Sequence, residues 1–175
     1  MDELFFAKNL AREVGGMLMA HFPEDNSLQK KGEEDVFTKA DELADEIIVE
    51  AIKQEFPGHE ILIEESGHHA SIGFSEEKKD VFTWIVDPLD GSLNYAHKIP
   101  FFGVSIALAK NNQVILGIVY NPVTRDTFFA GKGSGAFLNE EKIQVNQEPA
   151  REELLSFSGT IREKQLHEQV LSKLL

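Results

Sequence analysis

The sequence predicts an α+β fold in which helices precede the strands of one sheet. Apolar residues recur at a spacing of three and four in the first third of the chain, as they do in amphipathic helices. Later apolar runs are short, rich in β-branched and aromatic residues, and separated by Asn and Pro. The order of the two patterns places helices first and an antiparallel meander after them.

Two amphipathic helices are predicted before Gly58. The first covers MDELFFAKNLAREVGGMLMAHF, with Asp2 as its N-cap, and ends before Pro23. The second begins near Asp41, where acidic residues suit the positive end of the helix dipole, and it ends at Phe56-Pro57-Gly58. Each helix presents one apolar face to a common core.

Short strands follow the helices. ILI, Ile61–Ile63, leads into Glu64 and Glu65, and VFTWIV begins at Val81, after a polar stretch from Ser66 to Asp80 that we expect to be a loop. VSIALAK, QVILGIVY and DTFFA then predict the antiparallel meander. GKGSGA fits a G-x-G-x-x-A dinucleotide pattern, but FLN after it predicts a strand and a turn, so we expect a hairpin there.

Composition narrows the class of protein. The chain has 175 residues, of which 42% are hydrophobic, enough for the core of one ordinary domain. Thirty acidic residues against seventeen basic ones give a formal charge of -13, which argues against nucleic acid or an anionic membrane as a partner. There is no cysteine and no apolar stretch of about eighteen residues. We therefore expect a soluble, cytoplasmic protein.

The segment WIVDPLDGSLNY contains two aspartates placed directly after an apolar strand. Two carboxylates at close range repel each other unless a cation lies between them. Because Pro88 fixes its own φ, we expect the chain to turn sharply there and to aim the carboxylates of Asp87 and Asp90 and the Leu89 carbonyl at one point. Hard oxygen ligands of this kind suit Mg²⁺. Gly91 lets a phosphate approach the backbone, and a helix that starts at Ser92 would direct free N–H groups at it. The segment predicts a site for Mg²⁺ and a phosphate.

A second acidic pair, Glu64-Glu65, follows the strand Ile61–Ile63. If this strand neighbours the strand before Asp87, the two acidic pairs meet at one edge of the sheet. Four carboxylates there could hold two metal ions, the arrangement used for in-line attack of water on a phosphoryl group. Taken alone, Glu64-Glu65 is more typical of a solvated strand end.

DVFTKAD at Asp35 to Asp41, IEES at Ile63 to Ser66 and WIVDPLDGSLNY at Trp84 to Tyr95 occur in this order. They resemble the three N-terminal signatures of the inositol monophosphatase family, Mg²⁺-dependent and lithium-sensitive sugar phosphatases. The resemblance implies a layered α/β/α/β/α fold with N-terminal helices and a largely antiparallel sheet. It also implies a phosphomonoester hydrolase that acts on inositol monophosphate and, at full length, forms a homodimer.

The resemblance also implies which residues hold the metal ions. Glu64 would bind the first Mg²⁺ and help to activate the attacking water, and Asp87 would bridge the two ions. The Leu89 carbonyl would complete the first site. Asp90 would bind the second ion and contact the substrate.

The remaining roles that the resemblance implies concern the phosphate and the water. Gly91 and Ser92 would bind the phosphate through their backbone N–H groups. The Ser92 hydroxyl would orient the attacking water together with Glu64. Asp41 would hold water molecules outside the metal ligands.

The chain departs from the family pattern at three positions and in its extent. The family more often has glycine at Ile63, threonine at Ser92 and phenylalanine at Tyr95. Its members also continue and supply a further metal-binding aspartate from a Trp-Asp-x-Ala-Ala-Gly type motif, whereas the one tryptophan here is Trp84. We therefore expect a single domain over residues 1–175 that is incomplete at its C-terminus and inactive alone.

Two alternatives stay open at this point. The chain could be a non-catalytic or regulatory protein that retains a phosphatase-like metal site. It could also perform the same chemistry on another small phosphate, namely fructose bisphosphate, a nucleotide bisphosphate or a dinucleotide phosphate, because these substrates would use the same metal core.

Overall fold

The computed structural model describes residues 2–22, 29–30, 36–37, 39–63, 69–70 and 80–145. The helices in these ranges are α1 (Glu3–His21), α2 (Lys39–Glu55) and α3 (Ser92–Ala96). The strands are β1 (Gln29–Lys30), β2 (Val36–Phe37), β3 (Glu60–Ile63), β4 (His69–Ala70), β5 (Phe82–Asp90), β6 (Gly103–Lys110), β7 (Gln113–Asn121), β8 (Asp126–Gly131), β9 (Gly135–Leu138) and β10 (Glu141–Ile143).

Eight of these strands form one sheet in the order β10-β9-β8-β7-β6-β5-β3-β4. Neighbouring strands are antiparallel except for β3 and β5, which run parallel. β1 and β2 pair in a separate two-stranded sheet. The predictions of an α+β fold, of a meander from β6 onward and of a β8–β9 hairpin are confirmed.

α1 begins where the sequence predicts. The Asp2 carboxylate accepts hydrogen bonds from the N–H groups of Leu4 at 2.9 Å and Phe5 at 3.2 Å. These donors have no partner within the helix, so the side chain of Asp2 satisfies them as an N-cap. The helix ends at His21, shortly before Pro23.

α1 and α2 pack on one face of the sheet. Alternate residues of the central strands point to this face because strand side chains have a period of two. The buried residues of α1 and α2 include Ala7, Leu10, Ala11, Val14, Leu18, Ala44, Ile48 and Ile52, and those of the sheet include Trp84, Val86, Val104, Ile106, Leu108, Leu116, Ile118 and Tyr120. The two helices and the sheet therefore share one hydrophobic core.

One short strand differs from the prediction. The sequence predicts a loop from Ser66 to Asp80, but β4 lies within this stretch and pairs with β3, with Ile61 opposite Ala70. A strand of two residues is too short to produce a recognisable period. The rest of the predicted loop up to residue 79 lies outside the described residues.

The residues Met1–Gln144 form one compact unit. Within the described residues it contains one helical layer and the sheet, and the further layers that the family resemblance implies stay a prediction. A single domain over residues 1–175 stays a prediction. None of the helices in the described ranges combines the length and the apolar character that crossing a bilayer requires.

Two adjacent glycines in α1 should respond in opposite ways to replacement by alanine. A Cβ atom at Gly15 would lie 2.5 Å from Tyr120 Cε1, whereas a Cβ atom at Gly16 would have no neighbour within 4 Å. Both replacements gain helix propensity, about 1 kcal/mol, but only Gly15→Ala overpacks the contact between α1 and β7. We expect Gly15→Ala to be less stable than Gly16→Ala by about 1–3 kcal/mol, measured by urea unfolding. Equal stabilities would contradict the close packing at Gly15.

Candidate functional site

The parallel pairing of β3 and β5 brings their carboxyl ends to the same edge of the sheet. Ile63, the last residue of β3, pairs with Val86, and Asp87 is the next residue of β5. The predicted neighbourhood of the two strands is therefore confirmed. Glu64 and Glu65 follow Ile63 in the sequence but lie outside the described residues, so their part in the site stays a prediction.

The end of β5 is a bulge and not the sharp turn that the sequence predicts at Pro88. Asp87 pairs with Ser105 and Asp90 pairs with Gly103, so β5 has one residue more than β6 in this interval. Proline has no N–H to donate to the ladder and is tolerated at such interruptions. The strand thus continues through Pro88 to Asp90 with its pairing to β6 restored.

The predicted oxygen ligands of β5 all lie within the bulge, between the pairs Asp87–Ser105 and Asp90–Gly103. Asp87 is half-buried, Asp90 is exposed, and the side chain of Leu89 is buried. The N–H of Leu89 donates to Asp87 Oδ1 at 3.2 Å. This hydrogen bond restrains the Asp87 carboxylate against the backbone of the bulge.

These donors fit the metal ion that the family resemblance implies. The segment offers carboxylate and carbonyl oxygens without sulfur or imidazole nitrogen, which is the donor set that Mg²⁺ prefers. Across the described ranges, no three side chains of His, Cys, Asp or Glu are grouped as a metal site would require. Asp87 and Asp90 therefore supply a partial ligand set, and the predicted ligand Glu64 lies outside those ranges.

Asp41 lies in the first turn of α2 and is buried, with 1% of its surface exposed. Its carboxylate does not join Asp87 and Asp90 in a cluster of three acidic groups within the described residues. The predicted role of Asp41, holding water outside the metal ligands, stays a prediction.

Gly91 requires its glycine identity. Its φ is 91° and its ψ is 34°, a left-handed conformation that residues with a Cβ atom rarely adopt. A Cβ atom there would also lie 3.0 Å from the carbonyl oxygen of Phe101 and 3.4 Å from Phe102 Cα. A side chain here would therefore strain the turn, and the approach of a phosphate to the Gly91 backbone stays a prediction.

Ser92 is the first residue of α3, so the predicted helix start is confirmed. Its side chain is half-buried. α3 is only five residues long, so its macrodipole is small, and any attraction for a phosphate must come from the individual N–H groups of its first turn.

Tyr95 anchors α3 to α1. It is 1% exposed, and its hydroxyl donates to the Leu18 carbonyl at 2.8 Å. Its ring packs against Phe22 and Phe102 at centroid distances of 5.3 Å and 4.9 Å. Tyrosine at this position therefore keeps the aromatic packing that phenylalanine would provide and adds a hydrogen bond to the core.

Sequence reasoning missed the contact of Asn94 with Phe101. The Asn94 Nδ2 group donates to the Phe101 carbonyl at 2.8 Å, across seven positions of the chain. Hydrophobic periodicity carries no signal for such a bond. The available signal was the amide side chain itself, two positions after Ser92.

Comparison with known proteins identifies the family. The family model described as the inositol monophosphatase family matches residues 1–174. A fructose-1,6-bisphosphatase/inositol-1-monophosphatase of Thermotoga maritima is 38% identical over 161 residues, which are 91% of this chain and 59% of that protein. Human inositol monophosphatase 1 is 33% identical over 172 residues, 97% of this chain and 61% of that protein.

Solved structures agree with these matches. The extragenic suppressor protein suhB of Bartonella henselae has a TM-score of 0.75 at 32% identity, covering 85% of this chain and 56% of its own. A Thermotoga maritima inositol monophosphatase has a TM-score of 0.72 at 38% identity, covering 84% of this chain and 55% of its own. The chain thus spans less than two thirds of the length of these relatives. By sequence and by fold, it belongs to the inositol monophosphatase family.

Proposed function

We propose that the protein is a Mg²⁺-dependent phosphatase that hydrolyses inositol monophosphate. The observation that carries this proposal is the bulge and turn from Asp87 to Ser92. It joins two carboxylates to a glycine turn of the backbone at the edge where β3 and β5 end together. The names and the family of the relatives support the reaction class.

The acidic side chains would hold the metal. We assign Glu64, Asp87 and the Leu89 carbonyl to one Mg²⁺ ion and Asp87 and Asp90 to a second. When bound, the ions stabilise negative charge on the phosphoryl oxygens and make water a better nucleophile. The Leu89 N–H bond to Asp87 keeps one side of that carboxylate in place.

The turn after β5 would hold the phosphate and the water. The N–H groups of Gly91 and Ser92 donate to phosphate oxygens in this proposal, and Asp90 contacts the sugar. The Ser92 hydroxyl would orient the attacking water together with Glu64, whose carboxylate would help to activate that water. Asp41 accepts hydrogen bonds from neighbouring water molecules.

Release of phosphate from inositol 1-phosphate tests the proposed function. The assay compares the 175-residue chain with a fusion that adds the C-terminal part of the Thermotoga relative beyond the matched region, with and without Mg²⁺. We expect Mg²⁺-dependent, lithium-sensitive turnover on the order of 1 s⁻¹ or more from the fusion and little from the chain alone. Saturable Mg²⁺ binding without turnover in either protein would instead favour the regulatory alternative.

Fructose 1,6-bisphosphate is the second candidate substrate. The Thermotoga relative, named for both activities, is 38% identical to this chain. The assay therefore includes fructose 1,6-bisphosphate at the same concentrations. A higher kcat/KM for this substrate would assign the chain to the bisphosphatase activity and would leave the metal chemistry unchanged.

We also propose that the protein is cytoplasmic and forms a homodimer, with neither nucleic acid nor a membrane as partner. The cysteine-free sequence is compatible with a reducing compartment, and the charge of -13 opposes binding to nucleic acid. Light scattering on the fusion protein measures the oligomeric state, and a monomer at micromolar concentration would contradict the proposed dimer.

A further inference from the structure

The connection between β5 and β6 is a loop closed at its base. Asp90 and Gly103 pair across the two strands, so the residues between them leave the sheet and return to it at one point. This connection contains α3 and the segment 97–102, which we call the return segment. The position of the return segment therefore decides what lies beside Asp90 and Gly91.

Burial does not hold the outer part of the return segment in place. Ile99 is 48% exposed and Phe101 is 72% exposed. Lys98 has a φ of 59°, an unfavourable conformation for a residue with a side chain. Hydrogen bonds restrain this part of the segment, among them the one from the Phe101 N–H to the Ile99 carbonyl at 2.7 Å.

The carbonyl of Phe101 lies between Asn94 and Gly91. Asn94 Nδ2 donates to this carbonyl at 2.8 Å, and the position of a Cβ atom on Gly91 is 3.0 Å from the same oxygen. The Asn94 side chain thus holds the Phe101 carbonyl against the backbone of the glycine turn. The backbone of Asn94 adds a second restraint, because its carbonyl accepts from the Ile99 N–H at 2.8 Å.

We infer that Asn94 is a positioning residue, which sets the conformation of the turn Asp90–Ser92 by fixing the Phe101 carbonyl beside Gly91. The inference deepens the proposed function and rests on it for the identity of the ligand, since this turn is where the phosphate would bind. Asn94 acts through Phe101 and does not itself touch the reacting atoms. Loss of the Asn94 side chain would free the return segment and let the turn Asp90–Ser92 sample other conformations.

Amide hydrogen exchange, measured by NMR on the 175-residue chain without ligand, tests the inference. In Asn94→Ala we expect the N–H groups of Ile99 and Phe101 to exchange roughly 2- to 10-fold faster, the range expected for loss of one net hydrogen bond. Asn94→Asp keeps the shape but removes the N–H donor, so it should show the same increase. Leu93→Ala is the matched control, because Leu93 is a 52% exposed neighbour on the same helix.

The location of the change separates positioning from general stability. We expect the amide of Ile118, in β7, to exchange at the same rate in all four proteins. Unchanged exchange at Ile99 and Phe101 in both Asn94 variants would overturn the inference, and so would an equal increase at Ile118.

Kinetics on the fusion protein provide a second readout. Asn94→Ala should raise KM for inositol 1-phosphate about 10-fold, as expected if the less ordered turn Asp90–Ser92 loses one net hydrogen bond to the phosphate, with a smaller change in kcat. An unchanged KM in an active fusion would overturn the inference. An inactive parent fusion would count against the proposed function, while the exchange data would still decide the role of Asn94.

Discussion

Asp87→Asn should reduce Mg²⁺-dependent release of phosphate to the background rate. Asp87 is half-buried at the end of β5, and its carboxylate accepts a hydrogen bond from the Leu89 N–H at 3.2 Å. Asparagine can accept the same bond with its amide oxygen, so the bulge should keep its shape while the site loses a negative charge. In the proposed mechanism the Asp87 carboxylate would be a ligand of both metal ions, so its neutralisation should weaken the binding of each ion.

Mg²⁺ affinity should fall along with activity. Loss of a group that only supports a metal ligand costs about 10- to 100-fold in affinity, so we expect at least this loss when a bridging ligand is neutralised. Titration calorimetry with Mg²⁺ on the fusion protein measures the affinity directly. A variant that hydrolyses inositol 1-phosphate as fast as the parent at saturating Mg²⁺ would refute the assignment of Asp87 as a metal ligand.

Asp80→Asn is the matched control, because it removes the same charge from a residue just before the N-terminal end of β5. Asp80 forms an ion pair with Lys110 at 3.0 Å, and hydrogen bonds from the side chains of Lys110 and Asn111 lower its pKa. Both partners are exposed, so loss of this ion pair should have little effect on stability. We expect full activity from this variant.

The sequence predicts correctly the helices and strands in which a pattern of apolar residues repeats. Apolar spacing of three and four marks α1 and α2 because each buries one face against the sheet. The strands β3 and β5, which the sequence predicts from short apolar runs, are neighbours, as the parallel pairing of Ile63 with Val86 shows. Repetition across many residues makes these predictions insensitive to any single side chain.

The errors concern single residues whose role depends on a distant part of the chain. Pro88 predicts a turn from its fixed φ alone, but pairing with β6 on both sides keeps it within a strand and makes the interruption a bulge. The bond from Asn94 to Phe101 depends on how the return segment folds back. Such features follow from tertiary structure, which overrides local preference, and they lie at the end of β5 where the site is proposed.

Ser92→Ala should lower kcat by about 10²- to 10⁴-fold, the usual contribution of a group that positions a proton transfer. Ser92 begins α3 immediately after the glycine turn, and its side chain is half-buried. In the proposed mechanism the Ser92 hydroxyl orients the attacking water together with Glu64. KM should change less, because binding of the phosphate rests on backbone N–H groups and the metal ions, which alanine leaves in place.

Two further variants separate the hydroxyl from the backbone. Ser92→Thr keeps the hydroxyl and should retain most of the activity, and Ser134→Ala removes an exposed serine from the β8–β9 turn and should have no effect. Steady-state kinetics of phosphate release from inositol 1-phosphate give kcat and KM for each variant of the fusion protein. If Ser92→Ala has an unchanged kcat, the hydroxyl does not orient the water. If its KM rises while kcat stays constant, Ser92 serves only to bind the substrate, because such a change removes binding that is equal in the ground state and the transition state.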